Sequence, residues 1–302
     1  MQHFRANGKL LLSGEYFILD GAKGLALPTK FGQTLKISPN PEKNILWTAF
    51  DPENKPWFHC LLSETIKIID TSDEQQAETL IKLINEARSL SEGIYFKGIS
   101  AETHLEFPIN WGLGSSSTLV SLLAQYFQCD PYQLLEATFG GSGYDIACAT
   151  SYQPITYKKL LTKREVQLVS FDPEFKDQLY FLHLGKKQDT REGIQHYRKL
   201  AVNKSDWIEQ ITDITEKLLI AADLDEFCYY LDLHEVLIAE ALQLKKVKET
   251  HFPDFSGSVK SLGAWGGDFV CVASSEEENL IRRYFSDNGF SVLLKFSDII
   301  LL

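Results

Sequence analysis

The chain has no excess of basic residues, no C-x-x-C pair of cysteines and no long apolar runs. Each of these absences argues against a class of binding partner or site. Its 302 residues include 30 lysines and arginines against 41 aspartates and glutamates, which gives a formal net charge of −11. Nucleic acids and anionic membranes are bound through broad positive surfaces, so we expect neither as the main partner. An anionic small molecule needs only a local basic cluster, so the overall charge is compatible with a ligand of that kind.

The cysteines are scattered and form no C-x-x-C pair: Cys60, Cys129, Cys148, Cys228 and Cys271. This spacing argues against a disulfide framework and against a zinc site. No apolar run approaches the ~18 residues that a membrane-crossing helix requires. The first residues are too polar for a signal peptide. We therefore expect a cytoplasmic protein in a reducing compartment, and the composition leaves monomer and homodimer equally open.

The spacing of apolar residues predicts strands and helices in both halves of the chain, and hence an α+β fold. A capping box formed by Ser72 and Gln75 precedes a helical pattern that ends at Gly93. In the second half, strand patterns cover residues 166–171, 179–184, 269–273 and 290–296, and helical patterns cover residues 191–200, 207–219, 227–244 and 276–285. We predict two lobes, residues 1–165 and 166–302.

A glycine-punctuated loop is the first candidate for a functional site. Residues 108–118 read P-I-N-W-G-L-G-S-S-S-T and lie between an alternating strand pattern and an apolar helical run. A loop at such a junction can wrap backbone N–H groups around phosphate while the positive end of the helix attracts the same anion. Its spacing matches neither the P-loop nor the dinucleotide-binding motif. We predict nucleotide binding, with a serine-capped glycine turn as the structural alternative.

Three further segments extend this pattern over almost the whole chain. Residues 7–16 read N-G-K-L-L-L-S-G-E-Y, residues 141–147 read G-S-G-Y-D-I-A, and residues 260–268 read K-S-L-G-A-W-G-G-D. Together with the loop at 108–117, and in the same order, they resemble the signatures of the GHMP kinase superfamily. Within that superfamily the chain is similar to the mevalonate and phosphomevalonate kinases, and G-Y-D-I-A is the name-giving string of its GYDIA subgroup.

The resemblance implies a two-lobed GHMP kinase fold, with an N-terminal lobe like ribosomal protein S5 and a C-terminal α+β lobe. It also implies an ATP-dependent phosphotransferase that uses Mg²⁺ and acts on an anionic small molecule. By position in the signatures, Lys9 and Asp145 are the candidate catalytic residues. Lys9 would place a positive charge beside the transferring group or lower the pKa of the acceptor hydroxyl. Asp145 would accept the proton of that hydroxyl.

The same resemblance assigns the nucleotide and metal sites. The triphosphate would be held by the loop residues Gly112, Leu113, Gly114, Ser115, Ser116 and Ser117. The hydroxyl of Ser115 or Ser116 would help to coordinate Mg²⁺. Glu136 is the candidate for an acidic metal ligand, since it is the only acidic residue on the predicted helix before Asp145.

Candidate substrate-binding residues come from three segments: Glu15, Lys187, Arg191, Gly263 and Gly266. Lys187 and Arg191 could supply the cations that an acceptor already carrying phosphate requires. For Glu15, a structural hydrogen bond within its own segment is an equal alternative. Asp268 and the G-S-G-Y-D string favour phosphomevalonate as the acceptor, while mevalonate, another small alcohol and the ATP-dependent decarboxylation of diphosphomevalonate stay open.

One residue departs from the family pattern in a way that supports a second hypothesis. Trp265 stands where the third signature of the family has a glycine. A side chain of this size could partly fill the ligand site or close over the ligand. The second hypothesis is therefore a nucleotide-binding or regulatory relative that has lost turnover, and formation of ADP with a panel of acceptors would discriminate between the two.

Overall fold

The computed structural model describes residues 1–91, 93, 96–185, 190–200, 204–263, 265 and 268–302. The chain forms two compact units. Unit 1 contains residues 1–8, 31–109 and 113–150, and unit 2 contains residues 9–30, 110–112 and 151–302. This division differs from the predicted lobes at 1–165 and 166–302. Residues 9–30 group with the second half because residues 24–26 pair with a strand that begins at Ile155.

The strands of the described residues are β1 (Gln2–Ser13), β2 (Gly24–Pro39), β3 (Ile45–Phe50), β4 (Pro56–Leu62), β5 (Ile68–Thr71), β6 (Ile99–Leu105), β7 (Ile155–Lys159), β8 (Arg164–Leu168), β9 (Leu179–His183), β10 (Ser258–Ser261), β11 (Phe269–Ala273) and β12 (Leu293–Lys295). The α-helices are α1 (Glu74–Ser89), α2 (Ser115–Phe127), α3 (Pro131–Thr138), α4 (Tyr144–Ala149), α5 (Thr190–Arg198), α6 (Ser205–Ile220), α7 (Leu224–Leu242), α8 (Val247–His251), α9 (Glu278–Asp287) and α10 (Phe296–Ile299). Two short 3₁₀ helices cover Phe17–Asp20 and Lys176–Gln178.

Unit 1 is built on a sheet in which the strand order is β5-β4-β3-β6-β2. Strands β3 and β6 are parallel and the other neighbouring pairs are antiparallel. Alternate residues of β3 and β6 are buried, so one face of the sheet packs on the core. Helices α1, α2 and α3 pack on one another in the same unit, and Trp47 of β3 shares its core with Phe127 of α2.

Helix α1 confirms the predicted helical pattern, but its cap is a different residue. Asp73 occupies the N-cap position, and its side chain accepts a hydrogen bond from the backbone N–H of Gln76. The predicted capping box at Ser72 and Gln75 is therefore wrong by one residue. The Ser72 hydroxyl bonds instead with the backbone of His59 on β4, because the chain is still leaving strand β5 at that point.

Unit 2 contains an antiparallel sheet of order β10-β11-β9-β12. It also contains the end of the larger sheet, in which residues 24–26 of β2, then β7 and β8, are neighbours. Helices α6 and α7 pack together, and α7 and α8 pack on β10. The predicted strand at residues 269–273 is confirmed as β11, and the predicted helices at 207–219 and 227–244 correspond to α6 and α7. Strand β8 begins and ends earlier than predicted, because its pairing with β7 ends where Leu168 meets Ile155.

Within the described part of the chain, none of the helices combines the length and the apolar character needed to cross a bilayer.

Truncation of a buried aromatic residue tests the core of unit 1. Phe127 is fully buried, and its ring lies 5.0 Å from that of Phe96. We expect Phe127→Ala to lower the free energy of unfolding by about 3–5 kcal/mol, because it removes buried surface and leaves a cavity. The matched control is Tyr152→Ala, since Tyr152 is 76% exposed. Equal midpoints of urea unfolding for the two variants would contradict the described core.

Candidate functional site

The first residues of the glycine loop belong to unit 2, where they dock on the ends of strands β9 and β11. The Nε2–H group of His183 donates a hydrogen bond to the carbonyl of Asn110 over 3.2 Å. The ring of Trp111 meets that of Phe269 edge to face, with centroids 5.6 Å apart. A hydrogen bond and an aromatic contact therefore anchor the entry to the loop on one sheet.

Lys9 lies on β1 and binds the loop that the sequence assigns to phosphate. Its ammonium donates to the backbone carbonyl of Gly112 over 2.8 Å, and both residues are in unit 2. The structure thus brings together the lysine of the first signature and the first glycine of the second.

The rest of the loop belongs to unit 1 and leads into α2. Gly114 is the N-cap of this helix in a left-handed conformation and, because it has no side chain, it supplies no side-chain cap. Backbone N–H groups in the first turn of a helix lack intrahelical partners, and the helix dipole is positive there. Ser116 is exposed and Ser115 is partly exposed, whereas Ser117 is buried. This end of α2 combines donor groups with two accessible hydroxyls, and such a combination suits an anion.

Asp145 lies on the first turn of α4 and contacts α2 through Ser117. Its Oδ2 accepts a hydrogen bond from the Ser117 hydroxyl at 2.5 Å, and its Oδ1 accepts one from the backbone N–H of Ile146 at 3.1 Å. Gly143, not Asp145, occupies the N-cap position of α4. The predicted catalytic carboxylate and the predicted phosphate loop therefore meet within unit 1.

Glu15 is part of a buried charged cluster in unit 2. Its side chain is 1% exposed, and its Oε1 accepts a hydrogen bond at 2.5 Å from the ammonium of Lys260, which is fully buried on β10. The same ammonium donates to the carbonyl of Ser261 over 2.8 Å. Burial raises the pKa of Glu15, while Lys260 and the backbone N–H groups of Glu15 and Gly263 act in the opposite direction. The pair connects the first signature with the third.

His234 of α7 completes this cluster as a neutral side chain. Its Nε2 accepts a hydrogen bond from the backbone N–H of Gly14 over 2.9 Å, so its proton is on Nδ1. Burial, and secondarily the charge of Lys260, lowers the pKa of His234 well below its usual value. The 3.4 Å approach of Nε2 to Oε2 of Glu15 is therefore not an ion pair.

Glu235, the next residue on α7, connects strand β10 with helix α8. Its Oε1 accepts from the backbone N–H of Val247 over 3.3 Å, and its Oε2 accepts from the backbone N–H of Ser261 over 3.1 Å. Burial raises the pKa of Glu235 to about 7, against the favourable charge of Lys260. This carboxyl is thus held beside the third signature and changes its charge near neutral pH.

Trp265, which replaces a family glycine, is buried within unit 2. It is 8% exposed, its backbone N–H donates to the hydroxyl of Tyr16 over 2.9 Å, and its indole N–H donates to the carbonyl of Lys245 over 3.2 Å. Both N–H groups of Trp265 therefore have partners. The first and third signatures are joined a second time through Tyr16.

The remaining candidates are placed less closely or lie outside the described residues. Glu136 is exposed on α3. Gly263 has a left-handed backbone, and a β-carbon added there would meet no atom of the described residues within 4 Å. Arg191 lies on α5, where its side chain is outside the described part of the structure, and Lys187 and Gly266 are outside the described residues altogether. The substrate and metal assignments of these residues stay predictions.

Two members of the buried cluster, Lys260 and His234, are not among the site residues predicted from the sequence. Lys260 stands in the third signature, so its position there was the signal that could have identified it. His234 has no such signal, because it is a single histidine within a helical pattern and only the fold brings it to Gly14.

Comparison with solved structures identifies the fold. A mevalonate kinase from Methanococcus jannaschii matches with a TM-score of 0.72 at 15% identity, covering 100% of this chain and 98% of that chain. A phosphomevalonate kinase from Streptococcus pneumoniae, in complex with phosphomevalonate and AMPPNP, matches with a TM-score of 0.72 at 15% identity, covering 98% and 100%. A galactokinase from Lactococcus lactis complexed with galactose matches with a TM-score of 0.69 at 14% identity, covering 100% and 95%.

These proteins are members of the GHMP kinase superfamily, so the α+β fold of this chain is the GHMP kinase fold. The resemblance to the mevalonate kinases is confirmed at the level of fold. No protein-family model matches the chain. A search of curated proteins finds no match either.

Breaking the buried ion pair tests its contribution to stability. We expect Lys260→Met to lower the free energy of unfolding by about 3–5 kcal/mol, because it leaves the Glu15 carboxylate buried without its cation. The double variant with Glu15→Gln should recover part of this loss in urea unfolding. Lys55→Met is the matched control, since the Lys55–Glu53 pair is 72% and 71% exposed, and its midpoint should not change. Additive losses in the double variant would contradict the pairing.

The raised pKa of Glu235 predicts that the stability of the fold depends on pH. Because its pKa is about 7 in the folded chain against a usual value of 4.5, the folded state binds more protons between these values. The free energy of unfolding should therefore fall as pH rises from about 4.5 to about 7, by up to about 3 kcal/mol from this group. Urea unfolding at several pH values should show a shallower decline in Glu235→Gln than in the native protein. Parallel curves would contradict the assignment.

Proposed function

We propose that the protein is an ATP-dependent small-molecule kinase of the GHMP type, with phosphomevalonate or mevalonate as the acceptor. The observation that carries this proposal is the arrangement in unit 1, where the open N-terminus of α2 lies beside Asp145 through the Ser117 contact. The shared fold supports it, because the Streptococcus pneumoniae phosphomevalonate kinase that the chain resembles is seen with phosphomevalonate and AMPPNP.

The residues at the start of α2 fit a nucleotide with Mg²⁺. Ser115 and Ser116 offer hydroxyl oxygens at the accessible end of α2, and Mg²⁺ prefers oxygen ligands. The described residues contain no group of three or more His, Cys, Asp or Glu side chains placed to hold a metal ion. This fits a Mg²⁺ bound through one or two protein ligands together with phosphates. Bound ATP would supply the phosphoryl group and Mg²⁺ would neutralise its charge.

The protein's own contribution is to orient the reactants and to move one proton. The backbone N–H groups at the start of α2 would hold the phosphates, and Lys9 would add positive charge at the Gly112 end of the loop. Asp145 would take the proton of an acceptor hydroxyl, since its orientation is held by Ser117 and Ile146. A phosphate acceptor is already ionised and needs no such base.

Substitution of Asp145 tests its role as a base and distinguishes mevalonate from phosphomevalonate as the acceptor. With mevalonate, an alcohol, we expect Asp145→Asn to lower kcat about 10²–10⁴-fold because the base is lost. With phosphomevalonate the loss should be smaller, while Lys9→Met should impair both reactions. Formation of ADP with Mg-ATP and each acceptor is the measurement. Asp130→Asn, at the N-cap of α3, is the control that removes a carboxylate elsewhere in unit 1.

Other outcomes of the same assay would decide between the alternatives. ATP binding without ADP formation from any acceptor would support the nucleotide-binding relative that has lost turnover, which Trp265 suggests. Release of CO₂ from diphosphomevalonate would instead support the decarboxylase. Absence of ATP binding would overturn the proposal.

A further inference from the structure

Asp268 has an unfavourable backbone conformation that the proposed reaction does not explain. It is the last residue of the third signature, directly before β11, and has φ +53, in the left-handed region that favours glycine. Its carbonyl accepts a hydrogen bond from the backbone N–H of Leu184 over 2.8 Å, so its main chain is fixed at the end of β9. A glycine would adopt this conformation without strain. Aspartate enters this region more readily than most other residues, and at position 268 its side chain comes close to the glycine loop.

The side chain of Asp268 lies against the α-carbon of Gly112 in the glycine loop. A β-carbon placed on Gly112 would collide with Cγ and Oδ2 of Asp268 and would lie 2.8 Å from its Oδ1. Gly112 itself has φ +66. Glycine at 112 is favoured by the left-handed backbone, and a larger residue there would also have to displace the carboxylate of Asp268.

A second charged side chain holds the other side of Gly112. The ammonium of Lys9 donates to its carbonyl over 2.8 Å. The carbonyl of residue 112 and the N–H of Leu113 share one planar peptide and point in opposite directions. A fixed carbonyl therefore also fixes the direction of the first N–H group that the loop can offer to an anion.

The neighbouring contacts agree with this picture. Trp111 packs on Phe269, the residue that follows Asp268, and Asn110 is bonded to His183 at the end of β9. Asn110 and Trp111 are thus both held against the ends of strands β9 and β11 in unit 2, and Asp268 makes the contact at Gly112.

We propose that Asp268 is a positioning residue of the phosphate loop. Its carboxylate fills the space beside the α-carbon of Gly112 and keeps the carbonyl of Gly112 within reach of Lys9. The loop is thereby held ready for an anion before the ligand arrives. Only the identity of that anion, the phosphates of a nucleotide, rests on the proposed function.

The contact is tested without any ligand by a double-variant cycle. We expect Gly112→Ala to lower the melting temperature, and Asp268→Gly to recover part of that loss when the two are combined, because it empties the space that the new methyl group needs. If Gly112→Ala alone does not fold, recovery of folded protein by Asp268→Gly is the expected result. Additive effects, or a double variant whose melting temperature is no higher than that of Gly112→Ala, would overturn the proposed contact between Asp268 and Gly112.

The effect on the loop is tested by the binding of Mg-ATP, measured by calorimetry. We expect Asp268→Gly to raise the Kd about tenfold or more without lowering the melting temperature, since it removes strain but releases the loop. Asp268→Asn has the same shape and should stay within about threefold of the native Kd. A Kd for Asp268→Asn as high as that for Asp268→Gly would show that charge, not position, matters and would overturn the proposal.

A matched control separates relief of backbone strain from release of the loop. Gln243 ends α7 in unit 2 with φ +55, and its side chain is exposed. Gln243→Gly relieves a similar conformation and should leave the Kd for Mg-ATP unchanged. If the native protein does not bind Mg-ATP, the proposed function fails, while the melting-temperature cycle still decides whether Asp268 and Gly112 interlock.

Discussion

The buried ion pair between Glu15 and Lys260 is the interaction on which the rest of unit 2 depends. Both side chains are almost completely removed from solvent, so each charge is acceptable only because the other is present. Glu15 follows β1 in the chain, and Lys260 belongs to β10. The pair therefore fixes the turn after β1 relative to β10, although 245 positions separate the two residues along the chain.

Further hydrogen bonds around this pair also hold the turn after β1 and strand β10 together. Neutral His234 accepts the N–H of Gly14, and Glu235 binds the backbone of Ser261, so α7 holds both partners of the pair in place. The hydroxyl of Tyr16 accepts the N–H of Trp265. A hydrophobic pair of similar volume could stabilise the fold as well. We interpret the charges as a means of positioning the segment between Lys9 and Tyr16.

The Glu15–Lys260 pair matters for the proposed function because it positions the segment that carries Lys9. Lys9 lies on β1 and binds the carbonyl of Gly112, whose other side is filled by Asp268. Segments that are far apart in sequence thus converge on one glycine in unit 2. In unit 1, the N-terminus of α2 and Asp145 are joined through Ser117. Trp265, the main departure from the family pattern, has hydrogen-bond partners for both of its N–H groups.

Much of the fold could be predicted because strong local patterns determine it. Helix α1 and strand β11 follow apolar spacing, and the glycine loop was identified from its position between a strand and a helix. The partner of Glu15 could not be predicted, because nothing local in the sequence indicates which distant cation neutralises a buried carboxylate. Cytoplasmic location, oligomeric state and the roles of Lys187 and Gly266 stay predictions.

The most direct measurement is a crystal structure of the protein with Mg²⁺ and a non-hydrolysable ATP analogue. The account predicts phosphate oxygens against the backbone N–H groups of residues 113–117, with Lys260 still bonded to Glu15. Phosphates bound instead by Lys260, with Glu15 left without its cation, would contradict the structural role of the pair and the assignment of the loop.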